Sequence, residues 1–174
     1  MTQVEAERYS TLLRDGIALH QTGRLDEAAA IYARVLAKFP DHPDTLDLHG
    51  VLLHQAERND EAVELLERAV RIRPDNAAFH NHLGVCQQAL GRLEKARDSF
   101  TTARSLRPDM PEPAFNLATV LNQLALFDQA EQVARDAMTL APNSIEARLA
   151  LVRALGQSKR HGEAVEILRE TQRS

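Results

Sequence analysis

The sequence predicts an all-α solenoid, a stack of helix–turn–helix units. Three observations carry this. Pro40, Pro74, Pro108 and Pro142 stand 34 residues apart, and Ala28, Ala62, Ala96, Ala130 and Ala164 keep the same step. Gly16, Gly50 and Gly84 keep it too, followed by the small apolar Ala118 and Val152. A fixed period of this length along a chain marks a repeat architecture. Aromatics are only 4% of the 174 residues, with no Trp. The core must therefore come from Leu, Val, Ile and Ala, the mix expected of closely packed helices.

The periods run over 9–42, 43–76, 77–110, 111–144 and 145–174, the last ending before its proline, and together form one domain over 1–174. Each reads as two helices. In the third, Ala77–Leu90 is one apolar-periodic stretch, broken at Gly91-Arg92. Leu93–Leu106 is the second, with Ala96, Phe100, Ala103 and Leu106 along one helical face. Pro108 closes the period because proline cannot continue the helical hydrogen-bond ladder. Pro111 opens the next helix, where its missing N–H costs little. Asn76 and Ser144 are placed to cap the helices that follow. Turns are expected at Gly23-Arg24, Glu57-Arg58-Asn59-Asp60, Gly91-Arg92 and His161-Gly162, and the final helix at about Glu163–Gln172. No strand or long linker is indicated.

These residues resemble the tetratricopeptide repeat (TPR), whose pattern is Trp-x2-Leu-Gly-x2-Tyr, then Ala-x3-Phe, then Pro. The clearest match is Leu83-Gly84, Ala96, Phe100 and Pro108. Leu12, Gly16, Leu19, Ala28, Tyr32 and Pro40 match in the first period, and Leu46, Gly50, Leu53, Ala62, Leu66 and Pro74 in the second. The fourth and fifth contribute Leu117-Ala118, Leu121, Ala130 and Pro142, then Leu151, Leu155, Ala164 and Leu168. The resemblance covers roughly residues 9–174. It implies a right-handed superhelical solenoid of antiparallel helix pairs. Gly or Ala at each helix crossing lets the backbones approach, and a ring such as Phe100 or Tyr32 wedges between neighbouring periods. Departures are Ala134 in a slot that usually holds a ring, and Asp15 and His49 in a slot that is Leu elsewhere. Local irregularity is expected in the first two periods, because a polar group there needs a partner or an edge.

The net charge of −4 gives no electrostatic footprint for nucleic acid. The sole cysteine, Cys86, lies in an apolar stretch and reads as a core residue. No apolar run is long enough for a membrane span, and Glu5, Glu7 and Asp15 leave no room for a secretory leader. The expected location is the cytoplasm. His80 and His82 point about 200° apart on a helix, and His20 and His54 stand one period apart, beyond shared reach of an ion. With no Gly-rich phosphate loop, nucleophile elbow or metal-ligand spacing, neither enzymatic activity, nor a metal, nor any other cofactor is expected.

The resemblance places the first helix of each period along a concave groove. Across the periods, one row reads Ile17, Val51, Val85, Thr119; beside it run Leu13, Asp47, Asn81, Phe115 and His20, His54, Gln88, Asn122. Asp44 stands at the entrance with Glu112 and Glu146. These rows read as an apolar floor, a wall of amides and imidazoles suited to a peptide backbone, and an acidic lip. The expected partner is a protein or peptide with an apolar anchor and basic flanks. A carboxylate clamp for chaperone C-termini is not expected, since Leu13 and Ile17 stand where Lys and Asn are needed. The asparagine ladder of O-linked N-acetylglucosamine transferases keeps only Asn116, with Arg14, Leu48, His82 and Ala150 at the equivalent sites. Residues Ala78–Gly84 resemble bacterial repeat modules that precede glycosyltransferase or sulfotransferase domains. The function read from the sequence is a protein–protein interaction scaffold. Its alternatives are the N-terminal substrate-recognition module of a larger enzyme, or a self-assembling structural unit. Val165 and Leu168 on the final helix make the C-terminal end a candidate for self-association, with Leu151 and Leu155 of its partner helix partly bared.

Overall fold

The structure is a computed structural model that describes residues 3–171, with side chains from residue 8 to residue 169. The described residues form ten helices and no strand: α1 (Gln3–Gln21), α2 (Leu25–Lys38), α3 (Pro43–Gln55), α4 (Asn59–Ile72), α5 (Ala77–Ala89), α6 (Leu93–Leu106), α7 (Pro111–Gln123), α8 (Phe127–Leu140), α9 (Ile145–Gln157) and α10 (His161–Thr171). From α4 onward, every helix starts 34 residues after its equivalent in the preceding period. No helix among the described residues is long and apolar enough to cross a membrane.

Local chemistry sets both ends of these helices. The residue before a proline is pushed out of the helical region. Accordingly Phe39, Arg73, Arg107 and Ala141, each followed by a period proline, have ψ of 76°, 79°, 80° and 77° and end α2, α4, α6 and α8. Asn76 Oδ1 accepts from the amides of Ala78 and Phe79, and Ser144 Oγ from that of Ala147, as expected of caps. Pro111 stands in the first turn of α7. The His42 side chain caps α3 by accepting from the Thr45 amide, a role not apparent in the sequence.

The turn inside each period is closed by one recurring device. Gly23, Glu57, Gly91, Ala125 and Lys159 all have φ between 58° and 77°. Behind each of them the next amide, from Arg24, Arg58, Arg92, Leu126 or Arg160, reaches back five residues to a helix carbonyl. This is a left-handed C-cap, which glycine adopts without strain and other residues adopt at a cost. The fifth turn is therefore centred on Lys159. The expected break at His161-Gly162 is corrected, since α10 already begins at His161. Of the predicted final helix, Gln172 lies outside the described residues.

The chain divides into two compact units, Met1–Cys86 and Gln87–Ser174. In the first, α1 packs on α2, α2 on α3, α3 on α4, and α1 touches α3. Buried Ala28, Tyr32 and Leu52 form one cluster, and Leu46, Ala69 and Phe79 another. Gly16 and Gly50 sit at the crossings: a Cβ on Gly16 would stand 2.8 Å from Ile31 Cγ2, and one on Gly50 2.7 Å from Leu66 Cγ. Asp15 is left exposed. His49 is half-buried, its ring centroid 6.1 Å from that of Tyr32 and its Nδ1 without a hydrogen-bond partner. The helices of the first two periods are nonetheless uninterrupted, so the polar substitutions are absorbed by side chains rather than by backbone irregularity.

In the second unit α7 packs on α8, α8 on α9, α9 on α10, and α7 contacts both α6 and α9. Its core is built from alanines, Phe100 and leucines of the first helices. Ala134, in the slot expected to hold a ring, is fully buried all the same. Glu131 is almost fully buried and accepts from both Arg135 and Arg160, and Arg160 also forks onto Glu163. This network ties α8 to the start of α10. Leu151 and Leu155 are buried, which corrects the expectation that they are partly bared.

Candidate functional site

The candidate groove residues fall on α1, α3 and α5 in the first unit and on α5 and α7 in the second. In the first unit Leu13, Ile17, Val51 and Val85 are all half-buried. Their polar neighbours are engaged within the fold. The Tyr32 hydroxyl donates to His20 Nδ1 at 3.3 Å, and His20 Nε2 donates to Gln55 Oε1 at 3.0 Å. His54 Nδ1 donates to Asn59 Oδ1 at 2.6 Å. Asp47 is buried and accepts from His82 Nδ1 at 2.7 Å. The Asp44 carboxylate, placed at an acidic lip by the sequence, is held by both terminal nitrogens of Arg73 at 2.8 and 3.1 Å. Asn81 is buried.

The second unit repeats this pattern. Gln88 donates to Gln123 at 2.8 Å, the Thr119 hydroxyl donates to the Phe115 carbonyl at 2.9 Å, and the Asn122 amide donates to the Ala150 carbonyl at 3.2 Å. Phe115 is half-exposed, and Glu112 is exposed.

Three of these bonds share a spacing that a search by period alone misses. His20–Gln55, Asp47–His82 and Gln88–Gln123 each link positions 35 apart, one period plus one residue. Successive first helices are thus joined through a slightly offset register. Gln55, His82 and Gln123 are the partners that a comparison at 35 rather than 34 would have found. Of the six partners only Asp47 is buried, so the His82 bond satisfies a buried carboxylate while the other two bonds lie at the surface.

Burial keeps two titratable side chains protonated. Burial pushes the Cys86 thiol up to about 12, with Asp47 adding to the effect, so it holds its proton at neutral pH. Burial likewise pushes the Tyr32 hydroxyl up to about 12. Among the described residues no group of three or more His, Cys, Asp or Glu is arranged to hold a metal ion.

Two tetratricopeptide-repeat sequence profiles match the chain, over residues 7–75 and 48–111. No curated protein is significantly similar in sequence. Among solved structures, a crystal structure of MamA protein superimposes with a TM-score of 0.83 at 20% identity, covering 95% of this chain and 91% of that one. MamA residues 41 to the end from Desulfovibrio magneticus RS-1 give 0.85 at 15% identity, covering 95% and 94%. TTC0263, a thermophilic TPR protein of Thermus thermophilus, gives 0.76 at 23%, covering 94% and 89%. At these identities the likeness is one of fold. With the profiles spanning 7–111 and the 34-residue architecture matching solved TPR solenoids, the chain belongs to the tetratricopeptide-repeat family.

Proposed function

We propose that the chain is a cytoplasmic, non-enzymatic protein-interaction scaffold that holds a peptide or helix against the first helices of its periods. The observation that carries this is the half-buried set Leu13, Ile17, Val51 and Val85. These positions keep apolar surface in contact with water while the polar residues beside them are used inside the fold. An apolar anchor on the ligand gains by covering them, at roughly 25 cal/mol per Å² of apolar surface. Basic flanks on the ligand would not find Asp44 free, because Arg73 already holds its carboxylate. Membership of a repeat family built to display extended surfaces supports the same reading.

The test uses a fluorescein-labelled peptide selected on the purified chain from a random phage library. Val51→Glu is expected to weaken its binding at least tenfold by fluorescence anisotropy, with helicity unchanged. Glu64→Lys, an exposed position on α4, is expected to leave it alone. The reverse pattern would move the binding surface off the first helices.

A further inference from the structure

The 34-residue register lets each slot be compared with its own repeats. Tyr32, Leu66, Phe100 and Ala134 share one slot on the second helices, and all four are 0% exposed. The same slot on α10 holds Leu168, 43% exposed. Val165 is also 43% exposed, against 5% for its equivalent Val63 and 7% for Glu131. What covers this face elsewhere is visible in the first unit: Tyr32 of α2 clusters with Leu52 of α3, and Leu48 packs against them.

The complementary half of that junction is open on α1. Leu52 of α3 is buried against Tyr32 of α2, and Leu46 in a cluster on which Leu36 of α2 packs, yet their equivalents Ala18 and Leu12 are exposed and half-buried; Thr11 is exposed where its equivalent Thr45 is buried. A cleft of about 670 Å³ opens at this face. Tyr9, Leu12 and Ala37 give it apolar surface, and Arg8, Asp15 and Arg34 give it charge.

We propose that a second copy of this chain is the occupant of both faces. The α9–α10 end of one copy seats head to tail on α1 of the next and re-forms the junction that α2 makes with α3. One molecule carries both halves of an interface it already builds internally, so a second copy supplies the matching complement at each end. By the slot correspondence, Leu168 takes the place of Tyr32 and meets Ala18 and the stem of Arg14 at the positions of Leu52 and Leu48. Leu149, 43% exposed, takes the place of Asp47 and lies against the same Arg14, which stands where His82 stands. The contact is heterologous, with a different surface on each partner, so it propagates rather than closing in a symmetric pair. It is independent of ligand binding on the first helices.

Sedimentation equilibrium over a wide concentration range tests this with the full chain. The wild type is expected to rise with concentration above its monomer mass of 19.4 kDa, past the dimer. Leu168→Glu blocks one end and Ala18→Glu the other, and each alone is expected to remain monomeric. Their equimolar mixture has one intact junction and is expected to reach twice the monomer mass and no more. Val165→Glu and Arg14→Glu are second variants at the two ends, and circular dichroism checks that all four fold; every site named is exposed. A wild type that stays monomeric throughout overturns the proposal. So does self-association that survives Ala18→Glu and Arg14→Glu, which would mean end-to-end pairing of like faces, or a mixture that fails to pair.

Discussion

Gly50→Ala is the sharpest perturbation of the packing. The added methyl carbon would lie 2.7 Å from Leu66 Cγ and 3.1 and 3.2 Å from its two δ-carbons. Carbon atoms in favourable contact stand about 3.5–4.0 Å apart, so the overlap reaches most of an ångström at the closest atom. Leu66 is fully buried and cannot swing into solvent. Either α3 and α4 separate or Leu66 leaves its rotamer, and overpacking of this kind costs ~1–3 kcal/mol. Alanine in place of glycine inside a helix returns ~1 kcal/mol of propensity. The net expectation is a loss of up to about 2 kcal/mol, or a fall in melting temperature of about 2–4 °C per kcal/mol for a chain of this size. Gly156→Ala in α9 is the matched control, because nothing lies within 4 Å of its added carbon. It is expected to be neutral or stabilising, by up to ~1 kcal/mol. The assay is thermal and urea unfolding followed by circular dichroism. If Gly50→Ala raises the melting temperature as Gly156→Ala does, the α3–α4 crossing is looser than the structure has it and the steric argument fails.

Three other outcomes follow from the geometry. Glu57→Gly, Ala125→Gly and Lys159→Gly each relieve a non-glycine residue at φ near 60° and are expected to stabilise by up to ~1 kcal/mol, whereas Gly91→Ala, at φ 68°, should destabilise by a similar amount; urea midpoints that move the other way would show that the turn conformation is not the source. Burial, and secondarily the charge of Arg58, lower the pKa of His49 below its ordinary 6.5 in the fold, with Glu61 opposing weakly. Its contribution is therefore fully present above pH 6.5 and lost as pH falls through the lowered folded value. His49→Leu, which installs the residue of Leu83, Leu117 and Leu151, should flatten that acid-side loss, and an unchanged pH profile would assign it elsewhere. Cys86 is buried with its thiol held near 12, so Ellman's reagent should leave it unmodified in the native state and modify it on unfolding in urea; rapid native labelling would contradict the burial.

The sequence by itself determined what repeats locally. The proline step marked where the second helices stop, because an X-Pro residue leaves the helical region whatever surrounds it. Asn76, Ser144 and Pro111 announced helix starts for equally local reasons, and Gly16 and Gly50 announced the close crossings that the packing shows. The turn at Glu57 was legible but not its left-handed conformation, the turn at Lys159 was expected two residues later, and that at Ala125 gave no signal, since only a glycine advertises a positive φ in sequence. The tertiary structure alone decided which groove residues are spent. Asp44 looked free until Arg73, 29 residues on, closed on it, and Asp47 until His82, 35 residues on, did the same. Those partners come from neighbouring helices, and a one-residue offset in register engages side chains of the expected wall in bonds between helices. Burial at the last period was decided in the same way. Leu151 and Leu155 face inward while Val165 and Leu168 remain exposed, because which face of α10 is covered depends on its neighbours rather than on its own periodicity.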